Sequence, residues 1–197
     1  MTQTLYVISC AAPPARHVTT GIRAAQARGW DVALVLTPAA HRWSVEEAAG
    51  ETELDQLREL TGHPVRHTYK LPSQSDVLPS PDALLVAPAT LNTTTKWAAG
   101  HADTLALGLI TEALGLPLPV VALPYINAAQ AQHPALAPAV ATLRKAGVRY
   151  LLGDGQEPDG FTPHPPKNGR VEAYPWGFAL DVLDELTGRP LQADSDA

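Results

Sequence analysis

Cysteine is nearly missing from this 197-residue chain, in which Cys10 stands alone. A single thiol cannot build an internal disulfide framework or a cysteine-rich zinc or iron–sulfur site, and it points to a reducing compartment, the cytoplasm. Clustered positive charge is missing too: 14 Lys and Arg stand against 20 Asp and Glu, a formal net charge of −6. No basic footprint is therefore offered to nucleic acid or to an anionic membrane. The most apolar window, Leu105 to Ile126, carries Glu112 and Pro117, Pro119 and Pro124, and it reads as helix, turn and buried strand rather than a membrane span. Met1-Thr2-Gln3-Thr4 brings no basic region followed by an apolar stretch, which predicts no secretory signal. Neither Gly-x-Gly-x-x-Gly nor Gly-x-x-x-x-Gly-Lys-Ser/Thr occurs, so the dinucleotide fingerprint and the P-loop are both excluded.

What is present describes an ordinary globule. Hydrophobic residues at 45% and charged residues at 17% exclude disorder, and the length suits one domain over residues 1–188 followed by a frayed tail at 189–197. There are 19 prolines, where average usage would give about 10, which predicts proline-marked connections. Strand-length apolar runs alternate with helical patterns throughout. The strands are Leu5–Ile8, Val32–Leu36, Ala83–Ala87, Val120–Leu123 and Val148–Leu152, with helices near 17–28, 45–60, 91–99, 102–115, 135–146 and 175–187. Gly29 and Gly147 stand where helix C-caps belong. The alternation predicts an α/β fold: a doubly wound, flavodoxin- or Rossmann-like parallel sheet in three α/β/α layers. Ligands of such sheets bind beyond the carboxyl ends of the strands. The loops to read are thus Ser9–Pro14, Thr37–His41, Pro88–Lys96 and Pro124–Asn127.

Among these, Ala87-Pro88-Ala89-Thr90-Leu91-Asn92-Thr93-Thr94-Thr95-Lys96 is the richest in chemistry. Hydroxyls, an amide and a lysine gather where a buried strand enters a helix, and free backbone N–H groups point outward there, a composition suited to a phosphate or to a polar N-cap. Asn127 follows a proline, as a loop cap or a substrate-orienting amide would. His63 and His67 have metal-ligand spacing, but Pro64 intervenes and no third ligand is nearby, so no metal is expected. Trp97, Trp176, Tyr174 and Tyr125 are candidate stacking rings.

Ala87-Pro88-Ala89-Thr90, Asn92-Thr93, Lys96-Trp97-Ala98-Ala99-Gly100 and Ala102-Asp103-Thr104-Leu105 together resemble the signature of the homo-oligomeric flavin-containing cysteine decarboxylases. That family includes phosphopantothenoylcysteine decarboxylase, the lantibiotic peptidyl-cysteine decarboxylases and, more distantly, the flavin prenyltransferases. Thr37-Pro38-Ala39-Ala40, Thr61-Gly62-His63-Pro64-Val65, Pro124-Tyr125-Ile126-Asn127 and Gly169-Arg170 are similar to further family segments in the same order, so the resemblance spans roughly residues 4–187. It implies a flavodoxin-like subunit that binds FMN at the interface of a homotrimer or of a dodecamer built from trimers. By position, Ser9, Thr37, Ala89, Thr90, Asn92 and Thr93 would surround the phosphate and ribityl chain, and Asp103 and Thr104 would lie near the ring. Asn127 would hold a small-molecule or peptide substrate.

Three departures from the family pattern shape the expected chemistry. The first loop, Ser9-Cys10-Ala11-Ala12-Pro13-Pro14, lacks the family's Gly/Ser-rich turn. Gln74 stands where the family carries its catalytic histidine, which leaves His67 as the candidate base. Phe161–Asn168, just before Gly169-Arg170, contains no cysteine where phosphopantothenoylcysteine decarboxylases carry one, so electrons have no thiol there by which to return to an intermediate. The resulting expectation is an FMN-binding flavoprotein that oxidatively decarboxylates a peptidyl or small thiol-carboxylate. The alternatives are a flavin-binding or accessory protein that has lost catalysis and a flavin prenyltransferase.

Overall fold

The computed structural model describes residues 2–46, 51–153 and 160–189. Five strands form one parallel sheet: β1 (Thr4–Ser9), β2 (Asp31–Leu36), β3 (Ala83–Ala89), β4 (Val120–Pro124) and β5 (Arg149–Tyr150). Their order is β2-β1-β3-β4-β5, the flavodoxin-like arrangement. Every residue of β1, β3 and β4 is buried, which explains why these strands read as unbroken aliphatic runs: a sheet covered on both faces has no side that could be polar.

The helices are α1 (Val18–Ala27), α2 (Pro38–Glu46), α3 (Glu51–Thr61), α4 (Leu91–Ala98), α5 (Leu105–Ala113), α6 (Ala128–Ala131), α7 (Leu136–Lys145) and α8 (Trp176–Thr187). From β1 the chain steps one way to β2, and all later crossovers step the other way. Right-handed crossovers therefore place α1 on one face and α4, α5 and α7 on the opposite one. Helix α8 returns to pack on α1, where the Trp176 ring occupies the space a side chain on Gly21 would need. Order reverses between β1 and β3, so the crevice at the carboxyl ends of those strands is where this topology binds ligands.

Several boundaries differ from the sequence expectation. Helix α2 starts earlier than expected, at Pro38, where Thr37 caps it through the Ala40 amide at 3.3 Å. Of the helix expected near 45–60, Glu51–Thr61 is helical as α3 and residues 47–50 lie outside the described residues. The stretch expected to be helical from 102 starts at Leu105, because Thr104 acts as N-cap and accepts from the Leu107 amide. At the fifth strand only Arg149–Tyr150 pair with β4, since Leu152 turns away to bridge Phe161. Arg189, expected to begin a frayed tail, is anchored: its guanidinium bonds Gln3 at 2.6 Å and lies 4.2 Å over the Trp30 ring. The rest of the expected tail lies outside the described residues. No helix among the described residues is long and apolar enough to cross a membrane.

Candidate functional site

Three of the helices that begin at the carboxyl end of the sheet are capped by a threonine. Thr37 caps α2, Thr90 caps α4 by accepting from the Thr93 amide at 3.2 Å, and Thr104 caps α5 by accepting from Leu107 at 3.3 Å. Threonine suits these positions because its oxygen satisfies one of the amides that a helix start leaves without an intrahelical partner. All three caps line one cleft of about 440 Å³, with Cys10 and Ala11 at the end of β1 and with Asn92, Thr93, Arg42 and Lys96. Helix N-termini carry partial positive charge, so three of them beside Arg42 favour an anion in this cleft, while the charge of Lys96 is met by Asp103.

The structure sorts the expected cofactor residues. Thr37, Thr90, Asn92, Thr93 and Thr104 line the cleft. Ala89 is buried at the end of β3, where its carbonyl accepts from the Tyr125 amide at 2.9 Å. Asp103 stands beside the cleft and takes a 2.6 Å hydrogen bond from Lys96, a contact that holds its carboxyl below the usual carboxylate range. Ser9 is wholly buried and does not line the cleft; its Oγ has no hydrogen-bond partner among the described residues. Cys10 does line it, but burial raises the thiol pKa against the lowering effect of bonds to Thr93 and the Thr90 backbone, so at neutral pH it stays a thiol.

A second cleft of about 400 Å³ adjoins the first, sharing Ala11, Thr90, Leu91 and Gln130 with it. Asn127 lines this second space and caps α6 in a reciprocal box: its Oδ1 accepts from the Gln130 amide at 2.9 Å, and its own amide donates to Gln130 Oε1 at 3.1 Å. With Oδ1 occupied, Nδ2 is left to donate. Between β3 and β4 the register slips, Val86 facing Ala122 and then Ala89 facing Pro124. This bulge, at a proline that has no N–H to give to the ladder, opens the strand ends where the two clefts meet.

His67 lies elsewhere. Arg66 bridges Val35 on the outer side of β2, so His67 sits one strand beyond the sheet edge, roughly 10 Å of strand spacing from β1. Its ring stacks on His41 with centroids 3.5 Å apart. Burial lowers both imidazole pKa values, helped by Arg58 for His41, and by the His41 ring and Arg66 for His67. His63 turns to Asp31, 2.8 Å away. Gln74 closes an exposed turn with Leu71. Of the candidate stacking rings, Trp97 donates to the Ile110 carbonyl and Tyr174 to the Leu123 carbonyl, both in the core, and Trp176 packs on Gly21. Tyr125 alone borders the clefts.

Sequence reading passed over Arg42 and Gln130. Arg42 follows Pro38 by four positions, one helical turn, so a helix starting at Pro38 necessarily turns both toward the same side. The signal was present but required recognising Thr37-Pro38 as a helix start. Gln130 follows Asn127 at capping-box spacing.

A Flavoprotein family profile matches residues 17–162. No curated relative matches the chain significantly. Among solved structures, the chain is similar to the FMN-dependent cysteine decarboxylase SpaF, with a TM-score of 0.59 at 24% identity over 77% of this chain and 83% of that one. It is also similar to AnUbiX (PadA1), solved in complex with FMN and dimethylallyl pyrophosphate, with a TM-score of 0.66 at 15% identity over 100% of both chains. A third similar structure is a dodecameric FMN-dependent UbiX-like decarboxylase from Escherichia coli O157:H7, with a TM-score of 0.65 at 14% identity over 99% and 98%. Low identity leaves these structures to speak for the fold, whereas the profile covers most of the sequence, and by it the chain belongs to the Flavoprotein family.

Proposed function

We propose that this protein is an FMN-binding enzyme of the decarboxylase type, acting on a small or peptidyl thiol-carboxylate. The observation that carries this reading is the convergence of three threonine-capped helix N-termini with Arg42 and Lys96 on one cleft at the β1/β3 switch point. That donor set suits the dianionic phosphate of FMN: hydroxyls of Thr37, Thr90 and Thr93, the amide of Asn92 and the first-turn N–H groups of α4 would hold it. Thr104 and the Lys96–Asp103 pair would border the rest of the cofactor. FMN, when bound, supplies an acceptor for a hydride equivalent.

The chain's own contribution is positional. Asn127 presents Nδ2 to a substrate carboxylate while the capping box fixes the amide plane. His67 would reach a substrate only at a site shared between subunits, since it stacks on His41 and lines neither cleft of its own chain. A homotrimer, or a dodecamer of trimers, is the assembly we propose. Exposed Tyr69, Leu71, Val77 and Leu116 supply apolar surface for it. The lone buried thiol is at home in the cytoplasm.

Thermal unfolding with and without FMN tests the cofactor, because a ligand present at a hundredfold excess over Kd stabilises by about 2.7 kcal/mol. An unchanged Tm and a colourless protein would end this reading. Incubation with cysteine-terminated peptides should then release carbon dioxide, seen as a mass loss. Prenyl transfer to the flavin is a second reading, favoured by the full-length overlay with AnUbiX. Prenylated flavin in the extracted cofactor would select it.

A further inference from the structure

The second cleft contains a polar pair that the cofactor reading leaves unused. Tyr125 is 7% exposed, yet its hydroxyl makes no hydrogen bond among the described residues. Its ring lies 4.7 Å from the His164 ring, and both residues stand between two adjoining hollows of about 400 Å³ each. Tyr125 Oη occupies the space a side chain on Gly169 would need, and an added Cβ there would also lie 3.0 Å from His164 Nε2. The two polar atoms are therefore neighbours, within about 5 Å of each other, an approach that a side chain at residue 169 would disturb.

The chemistry of that pair follows from the tautomer. His164 Nδ1 lies 2.8 Å from the Pro165 carbonyl, which only accepts, so in the uncharged tautomer Nδ1 carries the proton and Nε2 is the acceptor. The Tyr125 hydroxyl, its pKa raised by desolvation and by Glu172, is a donor. A donor and an acceptor side by side complement a group that both accepts and donates, such as a thiol. Asn127 and His164 are paired residues of a short parallel bridge, so their side chains emerge on the same side, about 5 Å apart at the backbone. A substrate carboxylate on Asn127 Nδ2 would thus bring a thiol two carbons away toward this pair, on the cleft that all three residues line.

The geometry points to Tyr125 and His164 as the thiol-binding and proton-accepting pair of this protein, with Gly169 the residue that lets them lie so close. This rests on the thiol-carboxylate reading above. In the step, Tyr125 Oη donates to the substrate sulfur, the S–H bond breaks, and its proton forms an N–H bond at His164 Nε2. A thiolate and an imidazolium result, with no change of oxidation state. A residue in this loop would then do the work that neither Gln74 nor His67 is placed to do within one chain.

The test titrates FMN-loaded protein with a short peptide ending in cysteine and with the same peptide ending in S-methylcysteine, which accepts but cannot donate. The wild type should prefer the cysteine peptide by at least about tenfold, a site built around a polar group being intolerant of its loss. Tyr125→Phe, which deletes one oxygen, and His164→Ala should each weaken the cysteine peptide about tenfold, and His164→Ala should abolish the preference. His164→Gln, whose amide oxygen still accepts, should keep the preference but lose the ultraviolet thiolate band of the bound peptide. FMN affinity should not change in any variant. Absence of FMN binding by the wild type would defeat the flavoprotein reading alone, because the same titration runs on flavin-free protein. A wild type without the preference, or a preference that survives His164→Ala, would overturn the pair.

Discussion

At the amino ends of β1 and β2, Asp184 is completely buried, yet it accepts from Trp30 Nε1 at 3.1 Å and faces the Nε atoms of Arg28 and Arg189, each at 3.5 Å. At the carboxyl ends of the same sheet, Ser9 Oγ and Tyr125 Oη have no hydrogen-bond partner among the described residues, and Arg42 lines a cleft without an ion pair among them. Both ends are polar, but at the first the charges face one another, including Asp184 Oδ2 and Arg28 Nε, which lack hydrogen-bond partners among the described residues yet lie 3.5 Å apart, while at the second Arg42 faces a cleft. The first is a closed end and the second an open one, whose cation favours a group not supplied by the chain. The closed end holds α8 to the sheet; the open end is where the proposed function would lie.

Substitutions can break or sharpen this contrast. The largest expected effect is at the closed end. Asp184→Ala strips the carboxylate from two arginines and an indole and should cost about 3–5 kcal/mol of stability, read as a lowered urea midpoint, while leaving FMN affinity as it was in the protein that still folds. Loss of FMN binding there would dissolve the distinction between the ends. At the open end, Thr90→Ala removes the α4 cap, which should cost about 1 kcal/mol and also weaken FMN, a double effect that calorimetry and fluorescence titration separate. Ser9→Ala should shift stability by less than about 0.5 kcal/mol, in the stabilising direction, because it deletes an unpaired hydroxyl. A clear loss would show that Ser9 has a partner after all.

The smallest effect concerns neither end but the edge beyond β2. His41 and His67 have folded-state pKa values below the ordinary 6.5, chiefly through burial. The unfolded chain therefore binds protons more readily, and stability is lost as pH falls below that value toward the folded pKa. Urea midpoints at pH 7.5 and 5.5 should differ less in His41→Gln/His67→Gln than in the wild type. An unchanged difference would mean the stacked pair does not report on folding.

Much of the fold could be read locally. The aliphatic runs at Leu5–Ile8, Ala83–Ala87 and Val120–Leu123 lie inside fully buried strands because a doubly covered sheet leaves its mark residue by residue. Thr90 and Thr93 were legible for a similar reason: a helix start needs its cap at the place where it begins. The failures were those of distance. His67 and Asn127 are both candidates along the chain, yet His67 stacks on His41 beyond the sheet edge while Asn127 lines the second cleft. His164 carries no local mark of function.

By itself, then, the sequence determined the alternation of strand and helix, the parallel sheet and the threonines at the strand exits, since hydrophobic period and capping chemistry act over a few residues. Only the tertiary structure decided which exits share a space. Strand order placed the reversal between β1 and β3 and so drew Thr37, Thr90 and Thr104, scattered over 68 positions, onto one cleft. It also brought His164 beside Asn127 through a backbone bridge that no spacing announces. Such convergence depends on crossover direction and packing across the whole sheet, which no short stretch of residues contains.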